Sequence, residues 1–317
     1  MALYLITGVA GFIGSGLARA VLAQGDQVRG IDNLSTGRRE NLTEIKDGID
    51  FREADLLDLD AVHAACKGAD YVLHQAAIPS VPKSVVDPLG SNRANVDATV
   101  NVLVGARDAK VKRVVYAASS SAYGDTPTLP KREDMPPNPI SPYAVAKLAS
   151  EYYMVSFYRC YGLETVCLRY FNIFGPRQDP SSPYSGVLAK FITQMLRGGQ
   201  PTIFGDGSQS RDFTYIDNAV EANLLACKAP AEQAAGRVFN IATGRRVDLN
   251  ETFLTRPGRR RASRPGRPAR PPGRPRPDGG GCVRPSPPVA ACGPRWLRAR
   301  RSRGGRADSH RLRAPSR

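Results

Sequence analysis

Tyr143 and Lys147 stand four residues apart in the run Ser141-Pro142-Tyr143-Ala144-Val145-Ala146-Lys147. The run predicts the opening of a helix. Ser141 can cap it, and Pro142 falls at the first helical position, where its missing N–H costs nothing. Residues four apart on a helix share a face, so the phenol and the ammonium can interact. A free tyrosine, with a pKa of about 10, is a poor base at neutral pH. A cation beside it favours the phenolate and moves it towards the working range of a general base. A solvated helix face can carry the same pair, so the elements that would position it decide between the two readings.

The chain opens with a short apolar strand from Ala2 to Thr7, followed by Gly8-Val9-Ala10-Gly11-Phe12-Ile13-Gly14 and a helix expected from about Gly14 to Gln24. A strand, a glycine-rich turn and a helix make a dinucleotide site: backbone at Gly8, Gly11, Phe12, Ile13 and Gly14 can approach a pyrophosphate whose charge rests on the helix N-terminus. A second strand ends in Asp32-Asn33, where an acid can bond the adenosine ribose hydroxyls and favour NAD. Arg38 and Arg39 follow closely and leave NADP open. The third strand, Ile49 to Ala54, leads to Asp55-Leu56, where an adenine can lie. The fourth, Asp70 to His74, leads to the small residues of Gln75-Ala76-Ala77, which let a cofactor come close. His74 reads as a packed histidine, with no second histidine beside it to suggest a metal.

Ser84 to Ala109 reads as one long helical stretch, and Val111 to Ala118 as a fifth strand ending in Ser119-Ser120-Ser121. Serines at the C-terminal end of a strand sit where open α/β sheets bind ligands. A proline-rich loop precedes the Tyr143 helix, and Thr165 to Tyr170 forms a further strand. This alternation predicts an α/β fold with a doubly wound, Rossmann-like parallel sheet. Further on, the pattern predicts a helix from Val187 to Arg197, a strand from Pro201 to Phe204, a helix from Tyr215-Ile216 to about Lys228, a strand from Arg237 to Ile241 and a helix opening near Asp248. The expected division is a cofactor domain over 1–170 plus about 211–240, and elements of a smaller substrate domain over about 171–210 and 241–254.

The formal net charge of +16 comes from 45 basic and 29 acidic residues. From Thr255 onward stand 19 of the arginines and only two acids, Asp278 and Asp308; the remainder holds 26 basic against 27 acidic residues, a net of −1. The body is therefore near neutral, and a single isoelectric point misrepresents it. Residues 255–317 contain no Lys, Asn, Ile, Phe, Tyr or Glu. Such a composition builds no core and is expected to be disordered. The favoured reading is a GC-rich gene read out of frame, because the residues present have GC-rich codons and the change falls inside a helix that had just begun. The other is a genuine basic tail that binds nucleic acid through phosphate contacts. No C-x-x-C occurs among six cysteines, no secretory leader is evident, and no apolar run approaches the roughly 20 residues of a membrane span. A reduced, cytoplasmic protein without a membrane partner is expected.

Taken together, Thr7-Gly8…Gly11…Gly14, Asp32-Asn33, the serine run, Tyr143…Lys147 and Tyr170-Phe171-Asn172 resemble an extended short-chain dehydrogenase/reductase. Within it, the stretches AASSSAYGD, SPYAVAKL, LRYFNIFGPRQDP and SRDFTYIDN are similar to NAD-dependent nucleotide-sugar epimerases, most of all those acting on UDP-N-acetylglucosamine and UDP-glucose, over residues 1 to about 254. The resemblance implies C4 epimerisation of a UDP-hexose through a 4-keto intermediate. Tyr143 would act as base, Lys147 would hold the nicotinamide ribose, and Ser119, helped by Ser120 or Ser121, would bond the 4-oxygen. It adds Tyr170 to the cofactor site and places Ser80 and Val81, Asn172, Val187, Lys190 and Phe191 near the sugar or uridine, with Arg211 on the diphosphate. Sister dehydratases carry Asp and Glu where this chain has Ser120 and Ser121, which removes the acid and base needed to eliminate water. Epimerisation or decarboxylation of UDP-glucuronate on the same scaffold, or a non-catalytic NAD-binding protein with a basic tail, are the alternatives. Relatives also carry a second diphosphate arginine beyond the helix near Asn250, which this chain does not show, and they pair as homodimers through helices corresponding to Ser84–Ala109 and the Tyr143 helix.

Overall fold

The computed structural model describes residues 1–179, 187–203 and 205–254; the segment from 255 onward and the side chains of Val187 and Lys190 lie outside this description. The chain runs β1 (Leu3–Thr7), α1 (Phe12–Ala23), β2 (Gln27–Asp32), β3 (Ile49–Glu53), α2 (Leu59–Cys66), β4 (Tyr71–His74), α3 (Val81–Val86), α4 (Pro88–Asn92), α5 (Ala98–Asp108) and β5 (Arg113–Ser119). It continues with α6 (Pro142–Tyr161), β6 (Glu164–Tyr170), β7 (Ile173–Phe174), α7 (Val187–Leu196), β8 (Ser210–Arg211), β9 (Thr214–Tyr215), α8 (Ile216–Lys228), α9 (Ala231–Ala234), β10 (Arg237–Ile241), β11 (Val247–Asp248) and α10 (Leu249–Leu254).

Seven strands form one parallel sheet in the order β10-β6-β5-β4-β1-β2-β3. Successive side chains on a strand point to opposite faces, and here both faces are apolar. Tyr4, Ile6, Leu73, Val115, Val166 and Leu168 pack on one side with α1 and α8. Leu5, Val72, Val114, Tyr116 and Cys167 pack on the other with α2, α5 and α6. Helices on both faces of a parallel sheet are the Rossmann-like arrangement that the alternation predicted. The strand order reverses between β1 and β4, and a crevice opens there at the carboxyl ends.

The long helix expected over Ser84–Ala109 is broken. Asp87 leaves the helical region (φ −131, ψ 81), and its side chain accepts a hydrogen bond from the Gly90 N–H at 2.8 Å. The cause is local: the ring of Pro88 disfavours helical backbone at the preceding residue, and proline then opens α4. A single π-helical turn, Arg93–Asp97, joins α4 to α5. Helix α1 also starts two residues earlier than expected, at Phe12. No strand forms over 201–203; two ribbons outside the main sheet appear instead, β7 parallel to β9 and β8 antiparallel to β11.

Helix α6 opens as its sequence dictates. Ser141 Oγ accepts the Ala144 N–H at 3.2 Å, and Pro142 stands in the first turn. The helix stops at Gly162, whose left-handed backbone (φ 70) suits a residue without a Cβ.

Candidate active site

One cleft of about 2220 Å³ runs along the carboxyl ends of the strands. Pockets for a single small ligand occupy about 300–1,000 Å³, so there is room for a cofactor and a substrate together. The cleft gathers every site residue expected from the sequence except Phe191 and except Val187 and Lys190, whose side chains are outside the description. Phe191 is buried and does not line it.

At one end lies the glycine turn. Gly8 has φ +66, and a Cβ on it would meet the Ala76 backbone at 2.8 Å. A Cβ on Gly14 would collide with the Gly8 carbonyl. Gly11 caps α1 without any side-chain hydrogen bond, so the first N–H groups of the helix face the cleft uncapped. That is the donor set a pyrophosphate requires. Asp32 is buried at the end of β2, where its two oxygens accept the N–H groups of Ala10 (3.0 Å) and Leu34 (2.8 Å). Burial holds its carboxyl above the usual range, and the two amides pull the other way. Asn33 Nδ2 donates to Asp55 Oδ2 at 2.8 Å, tying the ends of β2 and β3. These groups fit the adenosine half of NAD.

Gln75 is held by a closed ring of hydrogen bonds. Asn223 Nδ2 donates to the Tyr170 hydroxyl (2.6 Å), that hydroxyl donates to Gln75 Oε1 (3.1 Å), and Gln75 Nε2 donates to Asn223 Oδ1 (3.1 Å). The sequence reading missed Asn223. The available signal was one polar residue among Ala219, Val220, Ala222 and Leu224 on the packed face of α8. His74 is packed, as expected: its ring bonds Thr7 Oγ1 (2.7 Å) and Thr99 Oγ1 (2.9 Å), and burial pushes its pKa down to about 3.

At the centre, Ser119 Oγ accepts from both Ser121 N (3.2 Å) and Ser121 Oγ (2.8 Å). A hydroxyl has two acceptor sites and one proton. With both acceptor sites filled, the Ser119 proton is available to the neighbouring Tyr143 oxygen, an interaction that favours the phenolate. Tyr143 N–H in turn donates to Ser84 Oγ at 3.1 Å, so the helix start is tied to α3.

The electrostatics depart from the expectation that Lys147 lowers the Tyr143 pKa. Burial pushes Tyr143 up to about 12, opposed by the Ser119 hydroxyl. Lys147 Nζ instead donates to the Ala117 carbonyl at 2.9 Å and lies 4.7 Å from the centroid of the Tyr116 ring. Burial brings Lys147 down to about 7. Without ligands, the cost of desolvating both groups outweighs their proximity.

On the far side, Ser80 Oγ accepts Lys83 N–H (3.1 Å) and caps α3. Asn172 has left-handed backbone (φ 35) and donates to the Asp212 carbonyl at 3.0 Å. Arg211 lines the cleft and donates to its neighbour Ser210 O. Asp212 does not pair with it. Its carboxylate accepts Thr243 N (2.9 Å), Thr243 Oγ1 (2.7 Å) and Gly244 N (2.7 Å). Among the described residues no cluster of His, Cys, Asp and Glu suits a metal ion, and no helix is long and apolar enough to cross a membrane.

A doubly wound sheet, an uncapped glycine turn and a tyrosine with a hydroxyl relay define a dinucleotide-dependent α/β enzyme. Residues 4–242 match the NAD dependent epimerase/dehydratase family, and the chain belongs to that family. It is 41% identical over 251 residues to the UDP-glucose 4-epimerase of Mycolicibacterium smegmatis, covering 78% of this chain and 79% of the relative. Among solved structures, the UDP-N-acetylglucosamine 4-epimerase of Methanobrevibacter ruminantium in complex with UDP-N-acetylmuramic acid superposes with a TM-score of 0.75, at 41% identity and 80% coverage of each chain. The UDP-glucose 4-epimerase of Thermus thermophilus in complex with NAD superposes with a TM-score of 0.72, at 36% identity and 80% and 81% coverage.

Proposed function

We propose that the protein is an NAD-dependent 4-epimerase of a UDP-hexose, either the N-acetylglucosamine/N-acetylgalactosamine or the glucose/galactose pair. The observation that carries this reading is the Ser121–Ser119–Tyr143 relay inside a cleft that also contains the glycine turn. Bound NAD supplies the acceptor for the C4 hydride and, once the keto sugar has turned, the donor that returns it. Tyr143, as phenolate, takes the proton of the 4-hydroxyl and becomes phenol, and gives that proton back to the 4-oxygen when C4 is reduced again. Ser119 follows that charge with its one free proton, while Ser121 holds Ser119 in the required orientation. Lys147, whose Nζ donates to the Ala117 carbonyl, would hold the nicotinamide ribose. Asp32, Asn33, Asp55, Gln75, Ala76, Ala77 and Tyr170 hold the dinucleotide. Ser80, Asn172 and Arg211 receive the nucleotide sugar. With serines at 120 and 121 there is no carboxylate pair to eliminate water from the keto sugar.

The reading extends to the assembly. Val85, Val86 and Leu89 on α3 and α4, and Val145 and Tyr152 on one face of α6, are exposed. Their burial against a second copy would give a homodimer, which sedimentation would show as twice the mass of the chain. The reaction is tested by incubating the protein with UDP-N-acetylglucosamine and UDP-glucose and resolving the 4-epimers; the absence of a 4-epimer from either sugar overturns it.

A further inference from the structure

Helix α6 carries a further ionisable side chain one turn beyond Lys147. Glu151 is 3% exposed, and it accepts a fork from Arg169, which is 4% exposed: Nε donates to Oε2 at 2.9 Å and Nη2 to Oε1 at 2.6 Å. Neither group takes part in the proton and hydride transfers. Arg169 stands on β6 beside Ala118 of β5, one residue before the paired Ser119 and Tyr170. Its guanidinium also lies 4.7 Å from the centroid of the Tyr123 ring.

A buried ion pair is a poor device for stability alone. Desolvating both charges offsets their attraction, and apolar side chains of similar volume often hold a core as well. What the fork adds is geometry, because two parallel bonds fix distance and rotation together. Lys147 ties its turn of α6 to β5 by one bond, to the Ala117 carbonyl, and Glu151 ties the next turn to β6 by two. Those strands end in Ser119 and Tyr170. The fork therefore controls how α6 presents Tyr143 to Ser119.

The fork also balances charge. Burial holds His74 on β4 neutral and raises the pKa of Tyr116 on β5, of Cys167 and Tyr170 on β6, and of Tyr123 in the turn after β5, so these neighbours are uncharged. Beyond Tyr123, Asn240 accepts its hydroxyl and donates its own N–H to Glu133 at 2.7 Å. On the helical segments packed against α6, Lys83, Asp87, Arg93 and Asp97 are exposed, where solvent and salt screen them. Within the buried layer, Glu151 and Arg169 sum to zero beside Lys147 and Tyr143.

We propose that Glu151 and Arg169 are positioning residues of the reaction centre: their fork sets the rotation of α6 that brings Tyr143 to Ser119, and their opposed charges leave the titration of Tyr143 undisturbed. The proposal rests on the 4-epimerase reading above.

Two variants separate positioning from stability. Glu151→Leu/Arg169→Met replaces the fork by apolar groups and removes both charges, whereas Glu151→Gln leaves Arg169 as an unbalanced cation. Each is compared with the NAD-loaded wild type in circular dichroism melts and in pH profiles of turnover on the UDP-sugar that wild type epimerises. The double variant is expected to melt close to wild type. Its kcat should fall about 10- to 100-fold, as for a small misplacement of the base, with the acidic limb of kcat/KM unmoved. Glu151→Gln is expected to move that limb about one pH unit lower, because an unbalanced cation roughly 12 Å away, eight residues along a helix, favours the phenolate. A role in folding alone predicts the reverse, a lower melting temperature in Glu151→Gln with the limb in place. A double variant with kcat within about twofold of wild type, or a Glu151→Gln limb that does not move, overturns the proposal and leaves the 4-epimerase reading standing. If the double variant does not fold, the Glu151→Gln limb decides. A wild type that makes no 4-epimer from either sugar overturns that reading and the proposal with it.

Discussion

The two sides of the cleft are built differently. On the cofactor side, polar groups are buried or half-buried and tied into closed sets: Asp32 by two amides, Gln75 by the ring with Tyr170 and Asn223, His74 between two threonines. On the ribbon side, Asn172 and Arg211 are exposed, and each is tethered through one backbone carbonyl, that of Asp212 for Asn172 and that of Ser210 for Arg211. The first arrangement is preorganised for a ligand that stays; the second adapts to one that comes and goes. Buried polar groups cost free energy unless they are satisfied, which is why Asp32, Gln75 and His74 are each tied to partners. Exposed arginines pay little for remaining open until an anion arrives.

The largest expected effect falls where the two sides meet. Replacing Tyr143 by Phe removes the proton acceptor and should lower kcat about 10²- to 10⁴-fold, with NAD retained on the purified enzyme. A variant that turns over at the wild-type rate would move the base elsewhere. The same substitution identifies the tyrosine in a titration. In the ligand-free enzyme, the tyrosinate absorbance missing from Tyr143→Phe should appear above the ordinary tyrosine pKa of about 10, because Tyr143 is pushed up to about 12.

On the cofactor side, Asn223→Leu keeps a similar volume but strands the Tyr170 hydroxyl and the Gln75 amide. A stability loss of about 1–3 kcal/mol is expected, together with loss of NAD on gel filtration. Unchanged NAD retention would show that the ring is merely structural.

Lys147 gives a smaller, pH-dependent signature. Its folded pKa of about 7 lies below the unfolded value of about 10.4. Between these limits the unfolded chain binds more protons, so stability rises with pH there and the penalty is greatest below about 7. Thermal melts of ligand-free wild type should climb across that window relative to Lys147→Met; parallel curves would mean that the ammonium is not desolvated.

The smallest effect is expected from Ser121→Ala, which frees one acceptor site on Ser119 and weakens its orientation towards Tyr143 without removing either group. A kcat reduced several-fold, about 1 kcal/mol, with unchanged KM for the UDP-sugar would place the relay on the chemical step; a change in KM alone would assign Ser121 to binding.

The broken helix over Ser84–Ala109 was legible in principle, since Asp87-Pro88 marks the break in the sequence itself. The missed ribbon was not. Its strands are two residues long, too short for a period-two pattern, and exist only because 210–211 meets 247–248.

By itself the sequence determined the glycine turn, Asp32 at the end of β2, the capped start of α6 and the spacing of Tyr143 and Lys147. All of these are local, set by steric freedom, caps and helical or strand period over a few residues. Tertiary structure alone decided what joins distant segments: Asn223 reaches Gln75 across 148 positions and Tyr170 across 53, and Val247 arrives beside Arg211 through strand pairing. It also decided the protonation of the reaction centre. Burial, which no spacing reveals, moves Tyr143 and Lys147 in opposite directions and leaves the Ser119 hydroxyl to favour the phenolate.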